Sequence, residues 1–342
     1  MGCLENDLAA PLRIARTVRR CLFGLALLVF AGAAQAAALT GIQDYRYLVS
    51  GLPSPEREFP ALVHEFEGLA FTADGSLWAS IAADPLGTRR EFWRLDVKDN
   101  VVHQAIADSR FEPTAQFANP VALAGAGAQL IVGENFHAFR SRGFPLNDIL
   151  WAFTPGVSTP AVPDWTFSLA VTDCDEVEGA AAARGKLYVS CQGDGTILEL
   201  DPQSGQVGRK FALNAQLLGL EAIDDRRLLV GDYSNHRLLV FDLGLERVSE
   251  SIDLASLFRG PGSDYFRLTG EEYLVQVVPS EGFRRTPDPD GLAYRDGTIY
   301  MAFDGDLRIF AISLNVSEPG TVALLGLALL GLAWLGRRRP SG

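Results

Sequence analysis

The chain passes five times through the same series of short apolar segments and tight turns. Each unit opens with an acidic or amide residue in an apolar run, turns at a D-G-like dipeptide and continues through two further β-branched or aromatic runs. The openings are Glu67-Gly68-Leu69-Ala70, Asn119-Pro120-Val121-Ala122, Glu178-Gly179-Ala180-Ala181, Leu220-Glu221-Ala222-Ile223 and Asp290-Gly291-Leu292-Ala293. Such runs and turns are typical of consecutive antiparallel hairpins.

A fourth, more polar run follows some of these units, as at Gln206–Phe211 and Arg247–Ile252. Three buried strands and a more exposed outer strand make one blade of a propeller. A blade takes about 40–50 residues, so the 69-residue step from Glu221 to Asp290 has room for a degraded blade around Phe266–Val278. The sequence therefore predicts an all-β β-propeller with six blades, with five or seven as alternatives.

The two ends of the repeated region are complementary. The last unit lacks an outer strand of its own, whereas Tyr45–Ser50 is an apolar and aromatic run without a unit. Pairing these two segments would close the ring and remove both exposed sheet edges. We therefore expect an N-terminal strand to complete the final blade.

The N-terminus has the order of a secretory signal peptide. Arg13, Arg16, Arg19 and Arg20 precede an apolar core at 21–30, and Ala34-Gln35-Ala36 supplies small residues at the positions that a signal peptidase reads. A basic region, an apolar core and an A-x-A site define such a peptide. We predict cleavage after Ala36, which leaves residues 37–315 as the propeller domain.

The C-terminus combines a polar motif, an apolar run and a basic end. Ser317-Glu318-Pro319-Gly320 is followed by the apolar segment 321–336 and by three arginines at 337–339. This order is typical of a membrane-inserted segment whose arginines stay in the cytoplasm. At about 16 residues the run is slightly shorter than the 17–25 residues of most spanning helices. A transmembrane helix at 321–336 is the prediction, and a buried terminal helix is the alternative.

Residues 316–342 resemble the sorting signal of PEP-CTERM proteins. The motif is Ser317-Glu318-Pro319, in which Ser317 replaces the usual proline. The resemblance implies a Gram-negative bacterial protein whose partners are the export machinery and an exosortase-type protease. It also implies an exported protein, either anchored in the inner membrane and facing the periplasm or processed to the cell surface or extracellular matrix.

Two cysteines remain after removal of the signal peptide. Cys3 and Cys21 leave with it, whereas Cys174 and Cys191 lie in the exported chain. In an oxidising compartment two such cysteines usually form a disulfide. They flank a predicted hairpin turn at Arg184-Gly185, although a symmetric hairpin would place them about three positions out of register. We expect a Cys174–Cys191 disulfide.

The start of the first strand in each blade lines the central channel of a propeller. Five residues would then converge there: Glu67, Asn119, Glu178, Glu221 and Asp290. Carboxylate and amide oxygens suit a hard cation such as calcium or magnesium, and we assign Glu67, Asn119, Glu178 and Asp290 as its ligands. In the alternative reading, these side chains cap loop amides. The formal net charge of −12 argues against nucleic-acid binding, which needs a basic surface.

Residues 230–242, with the core Asp232-Tyr233-Ser234-Asn235-His236-Arg237, resemble an NHL repeat. The acid-Gly-Leu-Ala openings at Glu67 and Asp290 are similar to those of SMP-30/gluconolactonase-like and SdiA-regulated-like propellers. That resemblance implies a divalent metal that polarises a carbonyl group. Asp232, Asn235 and Asp242 are interpreted as residues that stabilise their own turns.

Two functional hypotheses follow. The first is an exported, envelope-attached propeller that acts as a binding or scaffolding module with a carbohydrate or protein ligand; the sorting-signal resemblance implies a setting in extracellular polysaccharide or biofilm assembly. The alternative is a metal-dependent hydrolase of lactones or esters at the central channel. No catalytic residue is assigned, and the first hypothesis is preferred. Trp78, Trp93, Trp151 and Trp165 are interpreted as core or blade-interface residues.

Overall fold

The fold is described from a computed structural model. It describes residues 38–46, 65–82, 90–96, 101–108, 120–136, 147–156, 163–170, 172, 174, 176–273, 275–276, 283–284, 287–303 and 308–315. Within these residues, no helix has both the length and the apolar character needed to cross a membrane. The predicted signal cleavage site at Ala36 and the predicted membrane helix at 321–336 lie outside the described residues.

The strands form five four-stranded antiparallel sheets. The described chain begins with β1 (Ala38–Arg46). Blade 1 contains β2 (Glu65–Phe71), β3 (Leu77–Ala82), β4 (Arg90–Asp96) and β5 (Val101–Asp108). Blade 2 contains β6 (Pro120–Ala126), β7 (Gln129–Glu134), β8 (Ile149–Phe153) and β9 (Trp165–Ser168). Blade 3 contains β10 (Val177–Ala183), β11 (Lys186–Cys191), β12 (Thr196–Leu200) and β13 (Val207–Ala212).

Blades 4 and 5 are separated by an insertion. Blade 4 contains β14 (Leu217–Ala222), β15 (Arg227–Asp232), β16 (Arg237–Asp242) and β17 (Arg247–Asp253), with a short 3-10 turn at Tyr233–Asn235. The insertion holds helices α1 (Ala255–Phe258) and α2 (Asp264–Thr269) and a small hairpin of β18 (Val275–Gln276) and β19 (Phe283–Arg284). Blade 5 contains β20 (Pro289–Arg295), β21 (Thr298–Phe303), β22 (Ile309–Asn315) and β1.

The propeller has five blades, so the prediction of six is wrong. The innermost strands β2, β6, β10, β14 and β20 contact one another in that cyclic order and close the ring. The segment predicted as a degraded blade forms α2 and β18 instead. Its local signals are helical: Ser263 accepts a hydrogen bond from the Phe266 amide, and Gly270 ends the helix in the left-handed conformation. These are the usual N-cap and C-cap devices.

The insertion packs on blade 5 through an aromatic cluster. The Phe258 ring lies 4.9 Å from Phe303 and 5.0 Å from Phe310, centroid to centroid, and Tyr273 lies 5.7 Å from Phe303. Aromatic side chains bury large areas of apolar surface. The described part of the insertion therefore packs on the propeller and adds no sixth blade.

An N-terminal strand completes the last blade, as the sequence predicts. β1 lies beside β22 as the fourth strand of blade 5. The strand is Ala38–Arg46, earlier in the chain than the predicted Tyr45–Ser50. Because this blade combines both ends of the described chain, the ring is closed by hydrogen bonds between strands far apart in sequence.

Small residues allow five innermost strands to approach one axis. Gly68, Gly179, Gly219 and Gly291 occupy the same position in four blades, at the register shift of the innermost strand. A Cβ atom at Gly219 would lie 1.9 Å from the Asp290 carbonyl oxygen, and one at Gly179 would lie 2.5 Å from a backbone nitrogen of the next blade. Larger residues would push neighbouring strands apart. Glycine at this position therefore allows the innermost strands to pack closely around the axis.

The core lies between adjacent blades. Phe92 of blade 1 contacts Trp151 of blade 2 edge to face, with ring centroids 5.7 Å apart. Trp78, Trp93 and Trp151 are buried, and Trp165 is partly buried against the cluster shared by blades 2 and 3. These four tryptophans are core and blade-interface residues, as the sequence predicts.

Candidate cation site on the propeller axis

Three carboxylates occupy equivalent positions at the start of the innermost strands. Each lies at a register shift between the first two strands of its blade: Glu67 in β2, Glu178 in β10 and Asp290 in β20. A β-bulge leaves an extra residue and redirects its side chain. The same local irregularity thus presents one acidic residue from each of blades 1, 3 and 5.

The three side chains converge. One carboxylate oxygen from each of Glu67, Glu178 and Asp290 lies within 4.8 Å of the others, and all three residues are buried, with 8%, 8% and 4% exposure. At this separation and an effective dielectric constant of about 20, two like charges repel by about 3.5 kcal/mol. Hydrogen-bond donors of the protein, a bound cation or bound protons offset that repulsion. Carboxylate oxygens at this spacing are the donors that calcium or magnesium prefers.

The other two blades place aliphatic side chains at this position. Strand register gives Val121 in blade 2 and Leu218 in blade 4 as the equivalent residues. Asn119 lies two residues before Val121, outside the described residues. Glu221 lies three residues after Leu218 and pairs with Leu229 in the second half of β14. The assignment of Glu221 to the ring of openings is therefore wrong, because the bulge shifts the register.

Glu221 is nevertheless unusual. It is part-exposed, but its carboxyl group is packed among protein atoms, and this burial raises its pKa well above the ordinary value. The same strand position holds Ala70, Ala181 and Ala293 in blades 1, 3 and 5, each with 0–1% exposure. Glu221 is a poorly solvated carboxyl group at a position built for alanine.

A neighbouring amide supports Glu178. Asn135, which directly follows β7 and is 8% exposed, donates from Nδ2 to Glu178 Oε1 at 2.5 Å. The Asp148 carboxylate accepts hydrogen bonds from the backbone amides of Phe136 and Val177, each at 2.9 Å. These contacts tie the end of blade 2 to the opening of blade 3. Sequence reasoning missed Asn135, although its place at the end of a second strand puts it at the same end of the blade as the openings.

The NHL-like stretch stabilises its own turn and the opening of blade 5. Asp232 accepts hydrogen bonds from Asn235 Nδ2 at 2.9 Å and from Arg237 Nε at 2.7 Å. His236 Nδ1 lies 2.5 Å from Asp288 Oδ1, two residues before Asp290. Side-chain to backbone bonds hold the next turn as well: Asp242 accepts from the Gly244 amide at 2.8 Å. The expected side-chain to backbone bonds are therefore found at Asp242, whereas Asp232 and Asn235 contact each other through their side chains.

Cys174 and Cys191 form a disulfide in the structure, with Cα atoms 5.3 Å apart. Cys191 ends β11 and pairs with Val177, three residues beyond Cys174, which is the offset expected from the sequence. The turn between the strands lies at Arg184-Gly185, both with positive φ. The disulfide therefore joins the segment before Glu178 to the adjacent strand.

The space between the innermost strands is small. The described residues around it leave no space that would admit a water molecule, and its lining includes Gly68, Val121, Glu178, Gly219 and Asp290. Pockets for small organic ligands measure about 300–1,000 Å³. The described part of the axis is therefore closely packed and forms no pocket for an organic substrate.

Comparisons with known proteins concern the C-terminal sorting motif and the propeller fold. Residues 315–339 match the PEP-CTERM protein-sorting motif, so the match begins at the last residue of β22. Ser317, Glu318 and Pro319 fall inside it, outside the described residues. The chain is therefore an exported, membrane-processed protein with a β-propeller fold and a PEP-CTERM sorting motif.

A solved structure supports the fold. The crystal structure of Myxococcus xanthus glutaminyl cyclase aligns with a TM-score of 0.52 and 16% identity over 75% of this chain and 93% of that one. At this identity the likeness concerns the fold alone. Virginiamycin B lyase from Staphylococcus aureus aligns more weakly, with a TM-score of 0.40 and 14% identity over 72% and 66%, as do the RRP9 WD40 repeats, with 0.44 and 12% over 82% and 99%. Comparison with curated proteins finds no match.

Proposed function

We propose that this protein is an envelope-attached propeller that acts as a binding or scaffolding module in extracellular polysaccharide or biofilm assembly. The observation that carries the proposal is the direct junction between the propeller and the sorting motif. The ring runs from Ala38 to Asn315, and the sorting motif begins at residue 315. A rigid scaffold displayed by such a tail performs its role through its loops, with a carbohydrate or protein as ligand.

Processing of the tail tests this proposal. The full chain would be expressed in a Gram-negative host with and without an exosortase-type protease, and the Pro319→Ala variant would be compared with wild type. We expect the protease to convert wild type to a shorter form that leaves the inner-membrane fraction, and Pro319→Ala to remain full-length there. Intact-mass measurement defines the C-terminus. A full-length wild-type product in the soluble periplasm of both hosts would contradict the proposal.

The module is proposed to hold calcium or magnesium on its axis. Glu67, Glu178 and Asp290 would supply carboxylate oxygens, and Asn119 an amide oxygen. The convergence of three buried carboxylates supports this. Calcium takes six to eight oxygen ligands, and carboxylates that bind through both oxygens would supply most of them. The ion would fix the openings of three blades relative to one another.

Calcium-dependent thermal unfolding tests the cation. A ligand at 100 times its dissociation constant adds about 2.7 kcal/mol to the unfolding free energy, which corresponds to roughly 5–10 °C for a protein of this size. Glu178→Gln should abolish the shift. Glu246→Gln is the matched control, because Glu246 is exposed and lies on a hairpin turn. An equal shift in Glu178→Gln and wild type would contradict the axial site.

The hydrolase alternative gains no support from the axis. The described residues around the axis leave no space that would admit a water molecule, whereas pockets for organic ligands measure about 300–1,000 Å³. A structural cation that orders the blade openings needs no substrate channel. The binding module is therefore the function that the geometry favours.

A further inference from the structure

The propeller has two different faces. On the opening face, the innermost strands begin, and this face carries the axial carboxylates and the insertion 254–288. On the hairpin face, the first and second strands of each blade are joined by tight turns, such as Arg184-Gly185 and Asp296-Gly297. Because neighbouring strands of a blade run in opposite directions, the strand order determines on which face each strand ends.

The chain leaves the ring on the hairpin face. β22 runs antiparallel to β21, and β21 starts directly after the Asp296-Gly297 turn. The Leu314 amide donates to the Gly297 carbonyl oxygen at 2.7 Å, which places the end of β22 beside that turn. Asp290, at the other end of the same sheet, belongs to the opening face. The sorting motif therefore starts on the face opposite the axial carboxylates.

The connection to the predicted membrane segment is short. Five residues, 316–320, separate Asn315 from the apolar run that starts at Thr321. At no more than about 3.6 Å per residue, they span at most about 18 Å. A seven-residue strand such as β20 is about 23 Å long at about 3.3 Å per residue. The length of the connection is therefore comparable to the height of the ring, too short for the ring to turn over freely above a bilayer.

We propose that the membrane-attached precursor is oriented with its hairpin face toward the lipid headgroups and its opening face away from them. This inference rests on the envelope attachment proposed above. In this orientation the bilayer surface is the partner of the hairpin face, and the sorting protease approaches the blade 5 edge of that face. Soluble ligands meet the described part of the insertion, on the same face as the buried axial carboxylates.

Energy transfer to headgroup-labelled lipids tests the orientation. The full chain would be reconstituted in vesicles of phosphatidylethanolamine and phosphatidylglycerol that contain an acceptor lipid. A fluorescent amino acid replaces either Gln203 on the hairpin face or Asp194 on the opening face, both exposed and both in blade 3. We expect about two-fold higher transfer from position 203, because the faces are separated by about the length of a strand. A chain that ends at Asn315 serves as the unbound control.

The outcomes separate the two proposals. Equal transfer from both positions in vesicle-bound protein, or higher transfer from position 194, overturns the orientation and leaves the attachment intact. A full-length chain that stays in the supernatant with the vesicles overturns the attachment and the orientation together. Higher transfer from position 203 that disappears in the chain ending at Asn315 supports both.

Discussion

The disulfide gives the most direct quantitative prediction. The double variant Cys174→Ala, Cys191→Ala removes a cross-link between residues 17 positions apart. For a loop of this length, the loss of loop-closure entropy from the unfolded chain amounts to about 3 kcal/mol. For a domain of this size, that loss corresponds to a melting temperature lower by roughly 6–12 °C. We expect the urea midpoint to fall accordingly, with an unchanged native fold.

Reduction provides the matched control for this prediction. Dithiothreitol should lower the unfolding free energy of wild type to nearly that of the double variant and leave the double variant unaffected. The effect should extend to the axial site, because Cys191 pairs with Val177, the neighbour of Glu178. The calcium-induced thermal shift of the double variant should therefore be smaller. A stability loss below about 1 kcal/mol, with a single disulfide verified by mass in wild type, would refute the reasoning.

Three further substitutions test the packing of the ring. Glu221→Gln should be more stable than wild type at pH 8 and equal to it below about pH 4. The pKa of Glu221 is raised in the folded protein, so wild type loses stability as the pH rises above the pKa of this group in the unfolded chain. Urea unfolding of both proteins across this pH range measures the difference. Gly219→Ala should lower the free energy of unfolding by about 1–3 kcal/mol or more, because its Cβ would lie 1.9 Å from the Asp290 carbonyl oxygen. Gly262→Ala is the control: its Cβ would meet open space, so the variant should be nearly neutral in the same assay. Trp151→Ala should cost about 3–5 kcal/mol in thermal or urea unfolding, since Trp151 is fully buried between two blades; a loss under 1 kcal/mol would contradict its role in the core.

Part of the axial site could be read from local patterns. The acid-Gly openings at Glu67, Glu178 and Asp290 mark three equivalent positions, and the structure brings these side chains together. Glu221 was misplaced because its unit also contains an acid next to an apolar run. Strand pairing shows that Leu218 is the equivalent residue, directly before Gly219 as Glu67 is before Gly68. Because Leu218 is aliphatic, a search for acidic openings passes over it.

The number of blades could not be predicted from the sequence either. The 69-residue step between Glu221 and Asp290 is long enough for a sixth blade. Its caps at Ser263 and Gly270 favour helices, and its aromatic residues pack on blade 5. The glycines of the innermost strands allow a narrow ring because they lie against the backbone of the next blade. That contact is visible only in the tertiary structure.

The sequence alone determined the hairpin repeat, the cysteine pair and the match to a sorting motif, because each depends on residues close together in the chain. Tertiary structure decided how many blades close the ring, which acids share the axis and that Asn135 contacts Glu178. These features arise where separate blades meet. Their geometry is set by ring closure, in which β1 and β22 pair across almost the whole length of the propeller. The complementary ends of the sequence predict that pairing, but they do not determine how many blades it closes.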